Sequence, residues 1–243
     1  MGHIYKQDNI ERLLLKLRIT SGIIPIATYC SHVAYLAPTA GEYILIIPDT
    51  VIRLNKPGGY DAKETFTSRL RRIIDTRPVN NIRVYGGKNL ITTKCMFKNC
   101  KCDAIDITQM NTSNVINMCF MFMYTKCSEI KAAGIDTSNV VNMRRTFFMC
   151  NAKKIDISGW NTEKVTRTSE MFSGAAAQEL DLSSFKTPNI KEADSMFREC
   201  ESKQINIENM SIDSAVDAYQ MFKDCKAIVK TNDPRIQLML EGR

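Results

Sequence analysis

Apolar and polar positions recur along most of this chain with a period of 25 residues. Phe97, Phe122, Phe147, Phe172, Phe197 and Phe222 form one column. Met precedes each of them except Phe147, which follows Thr146. Two further apolar columns are Ile105/Ile130/Ile155/Leu180/Ile205 and Ile107/Ala132/Ile157/Leu182/Ile207. Between these two columns stand polar residues, as in KIDIS and ELDLS, and that alternation predicts a short strand with one buried face. The other half of the unit, NTEKVTRTSEMFSGA, predicts a short helical turn capped by Thr162, with Val165, Thr168 and Phe172 along one side. One unit alone buries almost nothing, whereas stacked units join their columns into a continuous core. A period of 25 falls among solenoids. The expected fold is therefore an α/β solenoid, a leucine-rich-repeat-like stack spanning residues 81–232.

The ends of the stack need covers, because a terminal rung leaves apolar columns and strand edges unpaired. At the C-terminal end, residues 233–243 predict a capping helix, with Asp233 as N-cap, Pro234 in its first turn and contacts from Ile236, Leu238, Met239 and Leu240. Residues 1–80 lack the period and read as a small basic α+β domain. They predict a helix over residues 9–17 and one or two strands in GEYILIIPDTVIRLN, broken near Pro48. A second helix should follow Gly58-Gly59, with Asp61 and Glu64 as a capping box and Phe66, Leu70, Ile73 and Ile74 buried.

Charge divides the chain. The formal net charge is +7, and residues 1–95 carry all of it. Lys63, Arg69, Arg71, Arg72, Arg77 and Arg83 crowd the second helix and the segment after it. Such a cluster is a candidate contact for phosphates or for an acidic protein surface; a solvated helix face is the plain alternative. Apolar residues make up 44% and charged residues 24%, as in a packed domain. The N-terminus has no uninterrupted apolar run resembling a signal peptide, and no stretch approaches a membrane span. A cytoplasmic protein, in the producing or a host cell, is expected.

Chemistry is sparse. Cys95, Cys100 and Cys102 lie close enough in sequence for a zinc site, yet Cys100 and Cys102 fall in repeat columns that otherwise hold Thr, Ser, Ala or Cys. The columns favour small buried side chains over ligands. Cys102 with Cys127, and Cys200 with Cys225, are neighbours that air could oxidise. Cys30 and His32 make a conceivable nucleophilic pair without a third group. Gly86-Gly87 is a turn signal outside any phosphate-loop pattern. The expectation is no enzyme, no metal and no cofactor. The outward strand columns Glu129/Lys154/Glu179 and Lys131/Asp156/Asp181 are the candidate protein-binding surface.

The units NTSNVINMCFMF, DTSNVVNMRRTF and ELDLSSFKTPNIKEADSMFREC resemble the BspA-like leucine-rich repeats, also found in mycoplasma lipoproteins, over about residues 90–230. That pattern is close to L-x-x-L-D-L-S-x-F-N-T-S-x-V-x-x-M-x-x-M-F-x-x-C. Characterised members are mostly cell-surface proteins that bind host proteins or other cells. The resemblance implies a non-catalytic protein-binding scaffold. This chain departs by its basic N-terminal part and by lacking an evident signal peptide. Three roles compete: an intracellular inhibitor of a host or partner enzyme, a nucleic-acid binder acting through the basic part, and a surface adhesin.

Overall fold

Alternating strand segments and the Phe column assemble as the period requires. The computed structural model describes every residue except 1–3, 30–31, 40, 57–64, 77–79, 216 and 243. Two helices and three strands precede the stack or enter it: α1 (Ile4–Lys16), β1 (Ile24–Ala27), β2 (Val33–Thr39), β3 (Glu42–Ile47) and α2 (Phe66–Asp75). The rungs contribute β4 (Asn81–Gly86), β5 (Ala104–Asp106), β6 (Lys126–Lys131), β7 (Asn151–Asp156), β8 (Glu179–Asp181), β9 (Gln204–Asn206) and β10 (Ile228–Lys230). Helix α3 (Pro234–Glu241) follows them.

Strands β1 to β7 form one sheet in chain order, and β8 to β10 a second. Pairing is antiparallel from β1 to β3 and parallel from β3 onward. Ile105 stands opposite Ile130, and Ile130 opposite Ile155, so the register keeps each apolar column in line. Because β3 pairs with β4, the N-terminal strands and the first rung share one sheet. They also share one core, in which Leu36, Leu45, Phe66 and Leu70 join the repeat columns.

The second half of each unit is not helical. In the rung of Phe172, the N–H groups of Met171, Ser173 and Ala175 bond back three residues within the rung. The alternate N–H groups, of Glu170, Phe172 and Gly174, bond to Asp194, Met196 and Arg198 of the next rung. A helix would keep all of these donors to itself. Sharing them with the neighbour requires left-handed backbone at Glu170 (φ 55) and Gly174 (φ 63), the sign a type II turn needs at its third position. Thr162 does not cap this run as expected: its hydroxyl donates to the Lys186 carbonyl of the next rung at 2.8 Å, while Asn161 Oδ1 accepts from Glu163 N.

The covers differ in detail from expectation. Helix α2 is capped by Thr65 and Ser68, which exchange reciprocal side-chain to backbone bonds; Asp61 and Glu64 lie outside the described residues. Its Phe66, Leu70 and Ile74 are buried. Helix α1 begins earlier than residue 9, and Leu13 and Leu14 pack over Ala37, Ile44 and Ile46 on the outer side of the sheet. Helix α3 has Asp233 as N-cap and Ile236 buried, but Leu238 is 67% exposed. An eight-residue helix lying across the last rung turns only one side inward.

Candidate functional site

Outward residues of the parallel strands stand in rows set by register. Arg83 faces Asp106, Asp106 faces Lys131, and Lys131 faces Asp156; beside them Glu129 faces Lys154. The rows largely neutralise themselves. Glu129 lies 2.8 Å from Lys154 and 3.3 Å from Lys131, and the Lys154 ammonium, ahead of that of Lys131, holds its carboxylate below the usual range. Asp156 accepts from Ser158 and Asp181 from Ser183, fixing the corner that ends each strand. Rows 154/179 and 156/181 cross the break between the two sheets, where Ala176 N and Gln178 N bond to the Cys150 and Lys153 carbonyls.

The basic cluster is divided. Arg69, Arg71 and Arg72 lie on α2, with Arg71 4.0 Å from Asp75. Arg83 belongs instead to the strand rows, 3.1 Å from Glu42 and 3.7 Å from Asp106. Lys63 and Arg77 lie outside the described residues. Helix α2 sits over the first turn run: Thr67 Oγ1 donates to the Cys95 carbonyl at 2.5 Å, and Asn55 Nδ2 to the Lys94 carbonyl at 3.1 Å.

Burial is the largest influence on the thiols of Cys95, Cys100, Cys102, Cys119, Cys127 and Cys150. It pushes the thiols of Cys100 and Cys127 up to about 12 and that of Cys119 up to about 11, and it raises Cys102 and Cys95 as well. Thiolate, the form that attacks and ligates, is thereby disfavoured at neutral pH. Among the described residues, no three His, Cys, Asp or Glu side chains are grouped to hold a metal ion. Cys30 lies outside the described residues, as does His3.

A different cluster, absent from the sequence reading, occupies the turn side of the first three rungs. Lys94 Nζ lies 5.8 Å from the centre of the Phe120 ring, and the Arg145 guanidinium 5.2 Å from that of Phe148. Tyr124 meets Phe148 edge-on at 5.6 Å. Arg145 also pairs with Glu170 at 2.5 Å. Met149 lies across Gly174, where an added Cβ would fall 2.2 Å from its sulfur. Tyr124 and Met149 stay 41% and 45% exposed. One signal was legible: the columns holding Phe148 and Met149 hold Ser173 and Gly174 one period later.

A family model described as "Mycoplasma protein of unknown function, DUF285" matches residues 68–128 and 123–233. The first match begins within α2 and the second ends just before α3. No curated protein and no solved structure matches the chain.

Proposed function

This chain belongs to the DUF285 family, and from that premise we propose that it is a non-catalytic, protein-binding scaffold. The observation that carries this reading is the double bonding of the rungs. Strand ladders on one side and shared turn N–H groups on the other hold outward side chains in straight rows. Rows fixed at one spacing on a stiff frame are how stacked-repeat proteins engage partners. The resemblance to BspA-like repeats supports the same reading, since characterised members bind proteins.

The finer reading is an inhibitor that works inside a cell by covering a partner enzyme. The uneven charge supports it, because a basic end beside a nearly neutral stack suits a partner with an acidic groove. Among the described residues, no helix is long and apolar enough to cross a membrane.

The test is affinity capture on the full chain, with co-purifying protein and nucleic acid both identified. Reverse-charge variants at Lys131, Lys154, Asp156 and Asp181 are compared with variants at Arg69, Arg71 and Arg72. A protein captured at fixed stoichiometry that survives nuclease treatment supports the scaffold. Capture of nucleic acid alone, lost only in the arginine set, replaces the scaffold with a nucleic-acid binder whose affinity should fall steeply with salt.

A further inference from the structure

We propose that the turn edge of the last rung, residues 218–225, docks a segment of a partner protein that adds to the stack as one more turn run. That segment presents backbone carbonyls at alternate residues, with an apolar side chain among them. The proposal rests on the protein-binding reading above and names the end of the scaffold that binds and the form of what it binds.

The complement of this edge is displayed inside the molecule. In run 168–175 the N–H groups of Thr168, Glu170 and Gly174 bond to the carbonyls of Glu192, Asp194 and Arg198. In run 193–200 those of Ala193, Ser195 and Glu199 bond to the carbonyls of Asp217, Tyr219 and Lys223. The corresponding N–H groups of the last run belong to Ala218, Gln220 and Asp224, and none of them has an acceptor among the described residues. The backbone nevertheless keeps the shape that aims such donors along the stack. Gln220 (φ 53) and Asp224 (φ 57) are left-handed, like Ser195 (φ 53) and Glu199 (φ 54). In the inner rungs, bonds to the next run offset the strain of that conformation. In the last rung the same shape is held with its donors open. An edge ordered in advance loses little freedom when a partner binds.

Apolar surface lies along the same edge. Tyr219 is 72% exposed, in a column that holds Ser169 and Asp194 in the two preceding rungs. Aromatic residues and Met are enriched in protein interfaces, where Ser and Asp are depleted. Between this run and α3 lies a cleft of about 690 Å³, with Ala218, Tyr219, Met221, Lys223 and Met239 in its walls. A cleft of that size is within the range that ligands occupy. It holds a large apolar side chain with room for the adjoining backbone. Main-chain bonds along an edge supply affinity, and a pocket beside it selects the side chain, as where a strand adds to a sheet.

The polarity of the edge selects its occupant. It offers donors at alternate residues, which match the alternate carbonyls of another polypeptide. A second copy of this chain does not supply them. Its own last run offers the same donors, and the carbonyl end of its stack is covered. There Lys94, which corresponds to Cys119, gives its carbonyl to Asn55 Nδ2 at 3.1 Å, and α2 lies over the run. The strand edge at the open end is the weaker platform, because β10 spans only Ile228–Lys230. The occupant that remains is a segment of a different protein.

The experiment combines amide hydrogen exchange and peptide binding on the full chain. In the chain alone, the amides of Gln220 and Asp224 should exchange at least about a hundredfold faster than those of Ser195 and Glu199, which are bonded. The probe is a labelled peptide copying residues 191–200 with Cys200→Ser, which carries the carbonyls of Glu192, Asp194, Met196 and Arg198 that an inner rung uses. Its controls are a scrambled peptide and a copy with Met196→Ser and Phe197→Ser. The copy should slow exchange at Gln220 and Asp224 and bind at least about tenfold tighter than either control. Tyr219→Ala should weaken it about tenfold, whereas Ile228→Asp on β10 should leave it unchanged. Exchange at Gln220 as slow as at Ser195 in the chain alone would show that the edge is already covered. Protection that grows with chain concentration would assign the edge to a second copy. Either result overturns the proposal, as does equal binding of copy and scrambled peptide, or binding lost through Ile228→Asp instead of Tyr219→Ala. Failure of the copy to bind also overturns it, yet leaves the scaffold reading standing if affinity capture with the Tyr219→Ala chain still yields a stoichiometric protein. Failure of that capture with the unaltered chain removes both.

Discussion

The ring of Phe172 lies 5.2 Å from that of Phe147, with the two planes 5° apart. Its other face meets Phe197 at 5.6 Å and 2°. Near-parallel rings at such distances are offset stacks, the arrangement that the ring quadrupole favours. Phe172 is thus buried between two identical neighbours and helps tie three rungs together. Phe172→Ala should cost about 3–5 kcal/mol, since truncating a large core residue loses transfer energy and leaves a cavity. Equilibrium denaturation gives the value, and a loss below about 1 kcal/mol would contradict the stack.

Exact repetition made the stack legible. A column of Phe at constant spacing has to line up, and the alternation around Ile155 and Leu180 identified the strands. Spacing could not distinguish a helical turn from the alternating turns found around Phe172, because both bring Thr168 and Phe172 to one side. The sign of φ at Glu170 makes the difference, and no residue type there announces it. The strand-side residues face outward, but their mutual pairing depends on register between rungs. Glu129 meeting Lys154 follows only once that register is known. The cluster around Tyr124 and Phe148 was overlooked for a related reason. Averaging over a repeat column hides the rungs that depart from it.

Thr162 shows what the corner hydroxyls do. It is buried, and it donates to the Lys186 carbonyl at 2.8 Å, as Thr137 donates to the Asn161 carbonyl at 2.9 Å. Thr162→Val keeps the shape and removes the donor, leaving a carbonyl short of a partner. The expected cost is about 1–2 kcal/mol. Thr162→Ser, which restores the hydroxyl, should recover most of the difference in the same denaturation assay. Equal stability of the valine and serine variants would show that the bond contributes nothing.

Gly86 closes the junction between the N-terminal strands and the stack. Its φ is +82, and a Cβ there would fall 2.2 Å from the Ile47 carbonyl oxygen. That oxygen accepts from Gly87 N at 2.8 Å, and the Gly86 carbonyl accepts from Asn111 N at 2.7 Å. Backbone on both sides leaves no flexible side chain to yield. Gly86→Ala should destabilise by more than about 2 kcal/mol, combining left-handed strain with the displaced backbone. A loss under about 0.5 kcal/mol, outside the range for such strain, would mean that β3 and β4 do not meet in this way.

Asp233 joins α3 to the last rung. Its Oδ1 accepts from Arg235 N at 2.8 Å and Ile236 N at 3.0 Å, and its Oδ2 from Ile212 N at 2.9 Å. Burial, the largest influence, would raise its pKa, but the N–H groups of Ile212, Ile236 and Arg235 and the Ser211 side chain together leave it below the usual value. An unfolded aspartate titrates near 3.9. A depressed carboxylate therefore stabilises the fold fully above that value and loses its contribution as pH falls through the lower folded value. Asp233→Asn retains an acceptor for the helix but turns an amide toward the Ile212 N–H or forfeits the cap. At about pH 7 the variant should be less stable by about 1 kcal/mol, the usual scale of a helix cap. Denaturation midpoints of both proteins, taken at intervals from about pH 7 to about pH 2, should converge as the wild-type carboxylate takes up its proton near and below the aspartate value of 3.9. Other acids protonate in both proteins, so the narrowing gap isolates Asp233. A gap that stays constant across the range, or widens in acid, would place the charge of Asp233 outside the forces that hold the cap.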